Sequence, residues 1–322
     1  MLNKNISEFF GFVISLTSIC LISTSCFLVS SNNKQSNTNN KQSLTRYDSP
    51  KVIGKISSAE INESSGLVAS RCQENVFWTH NDSGDNAFLY AISQKGEKLG
   101  TWKVKGAKNK DWEDIATIKN KSGECFLYIG DIGDNEKNRT DLIIYRVREP
   151  KISAENRSSG KKNPLLTENA EIINFRYPES RHDAETLLIH PETNDIYILT
   201  KRLSGSSEVY KIKGNFEITK TPIAEKIADL SVPAIPNGFL TGGEISPDGR
   251  RIVVCDYFNA YEIILPENAK NFDEIWKEKP VVIELGKREQ GEAVCYSANG
   301  NSIFATSEKI NSPLIEVKRI KR

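Results

Sequence analysis

The residues with chemical potential in this chain are carboxylates, and they recur. Glu63, Glu113, Glu185, Glu244 and Glu292 each stand at the start of a short apolar run, at intervals of 50, 72, 59 and 48 residues. Two of them carry a second carboxylate two positions earlier, in Asp111-Trp112-Glu113 and Asp183-Ala184-Glu185, which in an extended strand puts both side chains on one face. Two further stretches read Asp-x-Gly-Asp-Asn: Asp82-Ser83-Gly84-Asp85-Asn86 and Asp131-Ile132-Gly133-Asp134-Asn135, 19 and 18 residues after Glu63 and Glu113. Oxygen-only ligands on a glycine-bent loop suit a hard cation such as Ca²⁺, although the spacing is not that of an EF-hand. The same residues also serve ordinary turns, since Asp and Asn bond nearby backbone and Gly takes left-handed conformations. The expected ligand set is Glu63, Asp82, Asp85, Glu113, Asp131, Asp134, Glu185, Glu244 and Glu292, with Ca²⁺ as the cofactor.

Paired carboxylates also suit acid/base work, one held protonated while the other stays ionised. Asp183, Glu185 and the adjacent His182 are the catalytic candidates on this reading, and His80 is a second possible base. Lys201-Arg202 and Lys309 fall where other copies of the repeat carry Asp82, Asp131 and Asp256, so they are expected to neutralise the Glu set or to bind an anionic group. No Gly-rich phosphate loop, Gly-x-Ser-x-Gly elbow or His-Glu-x-x-His motif is present, and the familiar nucleotide, serine and zinc hydrolase routes lack support.

Positioning these groups falls to a repeat. Each copy has an acidic residue, an apolar strand, a polar turn, a second strand and a third strand containing Tyr or Ile, as in Glu113 followed by Ile115-Ala116-Thr117, Phe126-Leu127-Tyr128-Ile129 and Leu142-Ile143-Ile144-Tyr145. A period near fifty residues with three or four strands per unit is that of a propeller blade. The fold expected is an all-β propeller with five countable blades, six being possible because residues 185–244 leave room; a β-sandwich or hairpin array is the alternative. The long second interval contains a polar insertion, 151–168, followed by Ile172-Ile173-Asn174-Phe175 as the outer strand of blade two. The last copy lacks an outer strand, and an orphan strand at residues 51–57 is expected to complete it and close the ring. If every marker Glu opens an innermost strand, five carboxylates converge at one end of the channel, where their repulsion calls for a cation, protonation or hydrogen bonds.

Outside the repeat, residues 9–29 carry no charge, and 23–26 form a small-residue stretch ending in Cys26. This reads as an export signal, either cleaved or kept as an anchor, since 21 residues span about 31 Å as a helix. Residues 27–50 form a polar tether that has little to bury. The domain plan is therefore 1–26 signal, 27–50 tether and 51–322 propeller. With Lys+Arg 43 against Asp+Glu 42, the net charge is +1. Removing Lys4, Glu8, Lys34, Lys41, Arg46 and Asp48 leaves −1 for residues 51–322, which argues against a nucleic-acid partner. Cys72, Cys125, Cys255 and Cys295 are an even set in an export context, where disulfides persist. Their spacing matches no zinc site.

The segments Glu63-Ser64-Ser65-Gly66-Leu67, Tyr128-Ile129-Gly130-Asp131-Ile132-Gly133-Asp134-Asn135 and Asp183-Ala184-Glu185-Thr186-Leu187 resemble an uncharacterised class of secreted bacterial β-propeller proteins. The first 26 residues resemble a lipoprotein signal, which implies lipidation of Cys26. A looser likeness, at the level of architecture, connects the acidic strand starts to calcium-dependent propeller hydrolases such as SMP-30-like lactonases and propeller phytases; fold does not fix function. The function expected is a monomeric, membrane-tethered binding module on the periplasmic side or cell surface, presenting an acidic mouth to a small ligand or an envelope protein. The alternative is a Ca²⁺-dependent hydrolase of esters, lactones or phosphoesters.

Overall fold

The computed structural model describes residues 46–217 and 220–320. The expected signal segment, Cys26 and most of the expected tether lie outside the described residues. Among those described, no helix is long and apolar enough to cross a membrane.

Among the described residues, short β-prone runs separated by turns fold into 22 strands. The chain enters through β1 (Arg46–Tyr47), inside the expected tether, and β2 (Lys51–Ile56). Blade one follows as β3 (Ser64–Ala69), β4 (Val76–Asn81), β5 (Phe88–Ser93) and β6 (Lys98–Lys105). Blade two is β7 (Trp112–Lys119), β8 (Cys125–Asp131) and β9 (Leu142–Arg148), then β11 (Glu171–Phe175) as its outer strand, as the apolar run after the insertion predicts. The insertion itself is no simple loop. Its strand β10 (Leu165–Asn169) crosses back and pairs parallel with β6, covering the open edge of blade one. Blade three is β12 (Ala184–Ile189), β13 (Ile196–Thr200), β14 (Ser207–Ile212) and β15 (Glu225–Leu230). Blade four is β16 (Gly242–Ile245), β17 (Arg251–Cys255), β18 (Asn259–Ile264) and β19 (Val281–Glu284). Blade five is β20 (Ala293–Tyr296), β21 (Ser302–Thr306) and β22 (Ser312–Ile320), closed by β2 pairing antiparallel with β22.

The fold is thus a five-bladed β-propeller. No sixth blade is inserted: the space left in the third interval is taken by β15 and the loop 231–241. The five innermost strands β3, β7, β12, β16 and β20 touch in cyclic order around the axis. Each interface between neighbouring blades holds its own apolar cluster, which is why the inner strands β3 and β12 are buried along their whole length and end in unbroken apolar runs, Leu67-Val68-Ala69 and Leu187-Leu188-Ile189.

Antiparallel order fixes where loops emerge. The entry to every inner strand and the turn after every second strand share one end, here the mouth. The chain itself enters at the other end, where β1 pairs with Arg319 and Ile320. Tyr47 secures this entry by donating its hydroxyl to Glu262, 2.6 Å away.

Cys72 and Cys125 form a disulfide between blades one and two, while Cys255 and Cys295 are buried thiols. Linking residues 53 apart removes unfolded-chain entropy worth about 4 kcal/mol. A Cys72→Ser/Cys125→Ser variant is expected to lose about 2–4 kcal/mol of unfolding free energy in denaturant titration. An unchanged midpoint would contradict the stapling role.

Candidate metal centre

Strand register shows how the carboxylates are placed. Ser64, Trp112, Ala184, Gly242 and Ala293 are equivalent, each opposite the last residue of its neighbouring strand: Asn81, Asp131, Thr200, Cys255 and Thr306. One step outwards therefore lie Glu63, Asp111, Asp183, Thr241 and Glu292. The register of β3, β7 and β12 then slips by one residue, at Ser65, Glu113 and Glu185. A bulge re-aims the extra side chain, and here it adds Glu113 and Glu185 as a second tier.

The five marker Glu residues consequently do not form one ring. Glu63 is exposed at the lip. Glu244 lies deeper, because β16 has no bulge and Glu244 is two positions inside it. There it accepts bonds from Arg71 Nη2 at 2.9 Å and the Tyr296 N–H at 2.7 Å, which lock blades one, four and five. Between this lock and the mouth, Asp114 closes the channel by accepting the N–H groups of Ile115, Leu187 and Gly243.

What the structure brings together is the pair of Asp-x-Glu units. Asp82, Asp111 and Glu113 form one group, and Glu113, Asp183 and Glu185 another, each with three carboxylate oxygens within 4.8 Å of one another. Glu113 belongs to both. It is 4% exposed, and among the described residues no side chain or backbone N–H donates to its carboxylate. Lys201 is ion-paired with Glu185, as the repeat alignment anticipates for a neutralising cation. Its ammonium also lies 4.7 Å from the ring centre of Phe239 and 5.7 Å from that of Tyr257.

The Asp-x-Gly-Asp-Asn copies divide their labour. Asp131 accepts the Lys110 and Asp111 N–H groups and the Arg139 guanidinium, pinning the approach to β7. Asp134 caps its own turn through the Asn138 and Arg139 N–H groups, and its own N–H holds Asp183 at 2.9 Å. Both are positioning residues outside the two carboxylate triads. In the first copy Asp82 joins the cluster, whereas Asp85 turns away to Asn81, Tyr90 and Lys161. His182 also faces elsewhere, bonded to Ser180 and Tyr210 and paired with Glu208. His80 is buried against Trp112, and burial pushes its pKa down to about 4. Neither histidine is placed to act as a base on a ligand at the cluster.

Gly133 and Glu308 escape a reading of the repeat. Gly133 packs so closely that an added methyl would overlap Glu113 Oε1 and Asp111 Oδ2. Glu308 lies beside Glu292 at the rim.

Charge crowding is visible in the titration of the site. Burial, Asp82 and neighbouring acids push Asp111 up to about 6. Burial with Glu185, Asp82 and Asp111 holds Glu113 well above the usual carboxylate range. Burial raises Glu185 to about 8 even though Lys201 opposes it, with Asp183 and Asp82 adding repulsion. Burial, Glu185 and Glu308 raise Glu292 to about 10. Burial works to lower the Lys201 pKa, but Glu185 outweighs it and holds the ammonium above its ordinary value. An all-carboxylate cluster of this kind can hold a hard divalent cation through oxygen.

The chain matches no protein-family profile and no curated protein.

Because the folded pKa values of Asp111 and Glu185 lie above their unfolded ones, folded protein holds these protons more tightly. Its stability falls as pH rises from about 5 towards 8 and those carboxyls ionise. With chelator present, the unfolding midpoint is expected to drop over that window; millimolar Ca²⁺ is expected to reverse the trend, since a cation would bind the ionised form. Parallel pH profiles with and without Ca²⁺ would refute this competition. Gly133→Ala is expected to weaken Ca²⁺ binding about tenfold, while circular dichroism stays that of the wild type.

Proposed function

We propose that the protein is a ligand-binding propeller of the cell envelope whose mouth carries Ca²⁺ between blades one, two and three. The observation that carries this reading is Glu113, a buried carboxylate without a hydrogen-bond donor, shared by two carboxylate triads. Protonation, hydrogen bonding or an ion offsets the burial of such a charge, and a cation satisfies every ionised member at once.

Several features support the setting. The Cys72–Cys125 disulfide fits an oxidising compartment, in keeping with the lipoprotein-like signal ending at Cys26 and the resemblance to secreted bacterial propellers. Entry of the chain at the end opposite the mouth suits a tethered module that presents its binding face away from the membrane. On that face Leu203, Ile235, Phe258 and Ile310 expose large apolar side chains from blades three to five, as suits contact with a ligand or an envelope protein.

A second reading, a Ca²⁺-dependent hydrolase of esters, lactones or phosphoesters, is favoured by one observation. Asp111, a member of the Asp82/Asp111/Glu113 triad raised to about 6, has the protonation range of a general acid. Turnover of such substrates that disappears with chelator and in Glu185→Gln would establish it.

The binding reading is tested by thermal unfolding. Ca²⁺ at about a hundred times its dissociation constant adds about 2.7 kcal/mol, or roughly 5 °C or more for a domain of this size. Glu113→Gln is expected to raise the midpoint in chelator at alkaline pH, where the wild-type carboxyl must ionise against its neighbours, and to abolish the Ca²⁺ response. A Glu113→Gln protein that still gains the full Ca²⁺ shift would contradict the site.

A further inference from the structure

Beside the carboxylate cluster, the mouth holds a cavity of about 430 Å³ built by three blades. Blade two supplies Lys137 from the turn after β8, blade three supplies Asp183, Lys201 and Arg202, and Phe239 before blade four and Tyr257 in its β17–β18 turn close the far side. Two of these residues, Asp183 and Lys201, also touch the cation site: Asp183 is in a triad and Lys201 pairs with Glu185. The cavity and the cation site therefore share a wall.

Its charge is the reverse of the cluster's. Three cationic side chains line it against one carboxylate. Lys201 is already neutralised by Glu185, and Arg202 spends Nη1 on Glu208 at 3.4 Å and Nε on the Ser204 carbonyl, which leaves Nη2 without an acceptor. Lys137 stands at φ 52 on the tight turn capped by Asp134 and forms no ion pair among the described residues. Its exposed side chain lines the cavity, and no acid among the described residues is paired with it. Phe239 and Tyr257, packed edge to face with ring centres 5.0 Å apart, give the same cavity an aromatic side.

We infer that this cavity is an oxyanion subsite, taking the carboxylate or phosphate of a small organic ligand with Lys137 and Arg202 while one ligand oxygen completes the coordination of the cation. The inference rests on the cation reading of the carboxylate triads. Without an ion, Asp183 and its neighbours repel an incoming anion across the shared wall; with the ion bound, the field there changes sign. Anion binding is accordingly dependent on Ca²⁺, which a chance encounter with surface lysines would not be. The volume admits a metabolite-sized molecule, and the rings favour one with a planar or apolar body.

The test is calorimetric titration of phenyl phosphate, and separately benzoate, into the full protein with Ca²⁺ and with chelator, alongside the Ca²⁺ thermal shift measured without either probe. Saturable binding of at least one probe is expected with Ca²⁺, weakened about tenfold or more by chelator. Which probe binds decides between phosphate and carboxylate. A Lys137→Asn/Arg202→Gln variant, whose Asn tolerates the left-handed turn, is expected to lose about tenfold in probe affinity while keeping the full Ca²⁺ shift. A normal Ca²⁺ shift with no probe binding, or with binding indifferent to chelator or to the double variant, overturns the subsite and leaves the cation reading standing. Absence of the Ca²⁺ shift condemns the cation reading itself, and the subsite with it.

Discussion

The mutual repulsion of carboxylates crowded at one end of a closed channel is the constraint around which this molecule is organised. Asp82, Asp111, Glu113, Asp183, Glu185 and Glu292 meet there with Lys201 as their paired ammonium. A single ammonium cannot neutralise six ionised acids, and burial of Glu113, Glu185 and Glu292 makes these hold their protons above the usual carboxylate range. The surroundings hold this arrangement in place rather than relieve it. Asp131 and Arg139 pin one carboxylate-bearing loop, the Asp134 N–H fixes Asp183, and Gly133 gives up a side chain so that Glu113 and Asp111 can close on it.

Propeller geometry makes such crowding possible. Five inner strands enter the channel at the same end, so any residue at a strand start is brought near its counterparts from other blades. Five separate apolar clusters between blades supply the burial that offsets the repulsion. Ring closure by β2 on β22, the disulfide between blades one and two, and the return of β10 to blade one each tie together segments far apart in the chain. Deeper in the channel the two carboxylates are satisfied: Asp114 and Glu244 take backbone N–H and guanidinium donors. The contrast with Glu113 marks the mouth as the place for chemistry and the deeper levels as scaffold.

Much of this was legible in the residues. Apolar runs at a repeating interval announced the blades, and the missing outer strand of the last copy announced the closure by residues 51–57. The pairs Asp111/Glu113 and Asp183/Glu185 were visible as Asp-x-Glu. What the sequence concealed was register. A bulge consumes one residue without changing the apolar pattern, so Glu113 and Glu185 looked equivalent to Glu63 and Glu292, although they sit on different tiers. Glu244 looked like a fifth member because its blade lacks the bulge. Asp85 shares its motif with Asp134, yet one of the partners that turn it outwards, Lys161, lies far along the chain in the insertion 151–168. Contacts of this kind depend on tertiary packing and leave no local signature.

The most direct test of the central claim is anomalous scattering from crystals grown or soaked with Ca²⁺. The account predicts a calcium peak at the mouth, with a Glu113 oxygen about 2.3–2.6 Å away and further ligands from both the Asp82/Asp111 and Asp183/Glu185 sides. A mouth with no calcium peak, its carboxyl groups hydrogen-bonded to one another through retained protons, would contradict it.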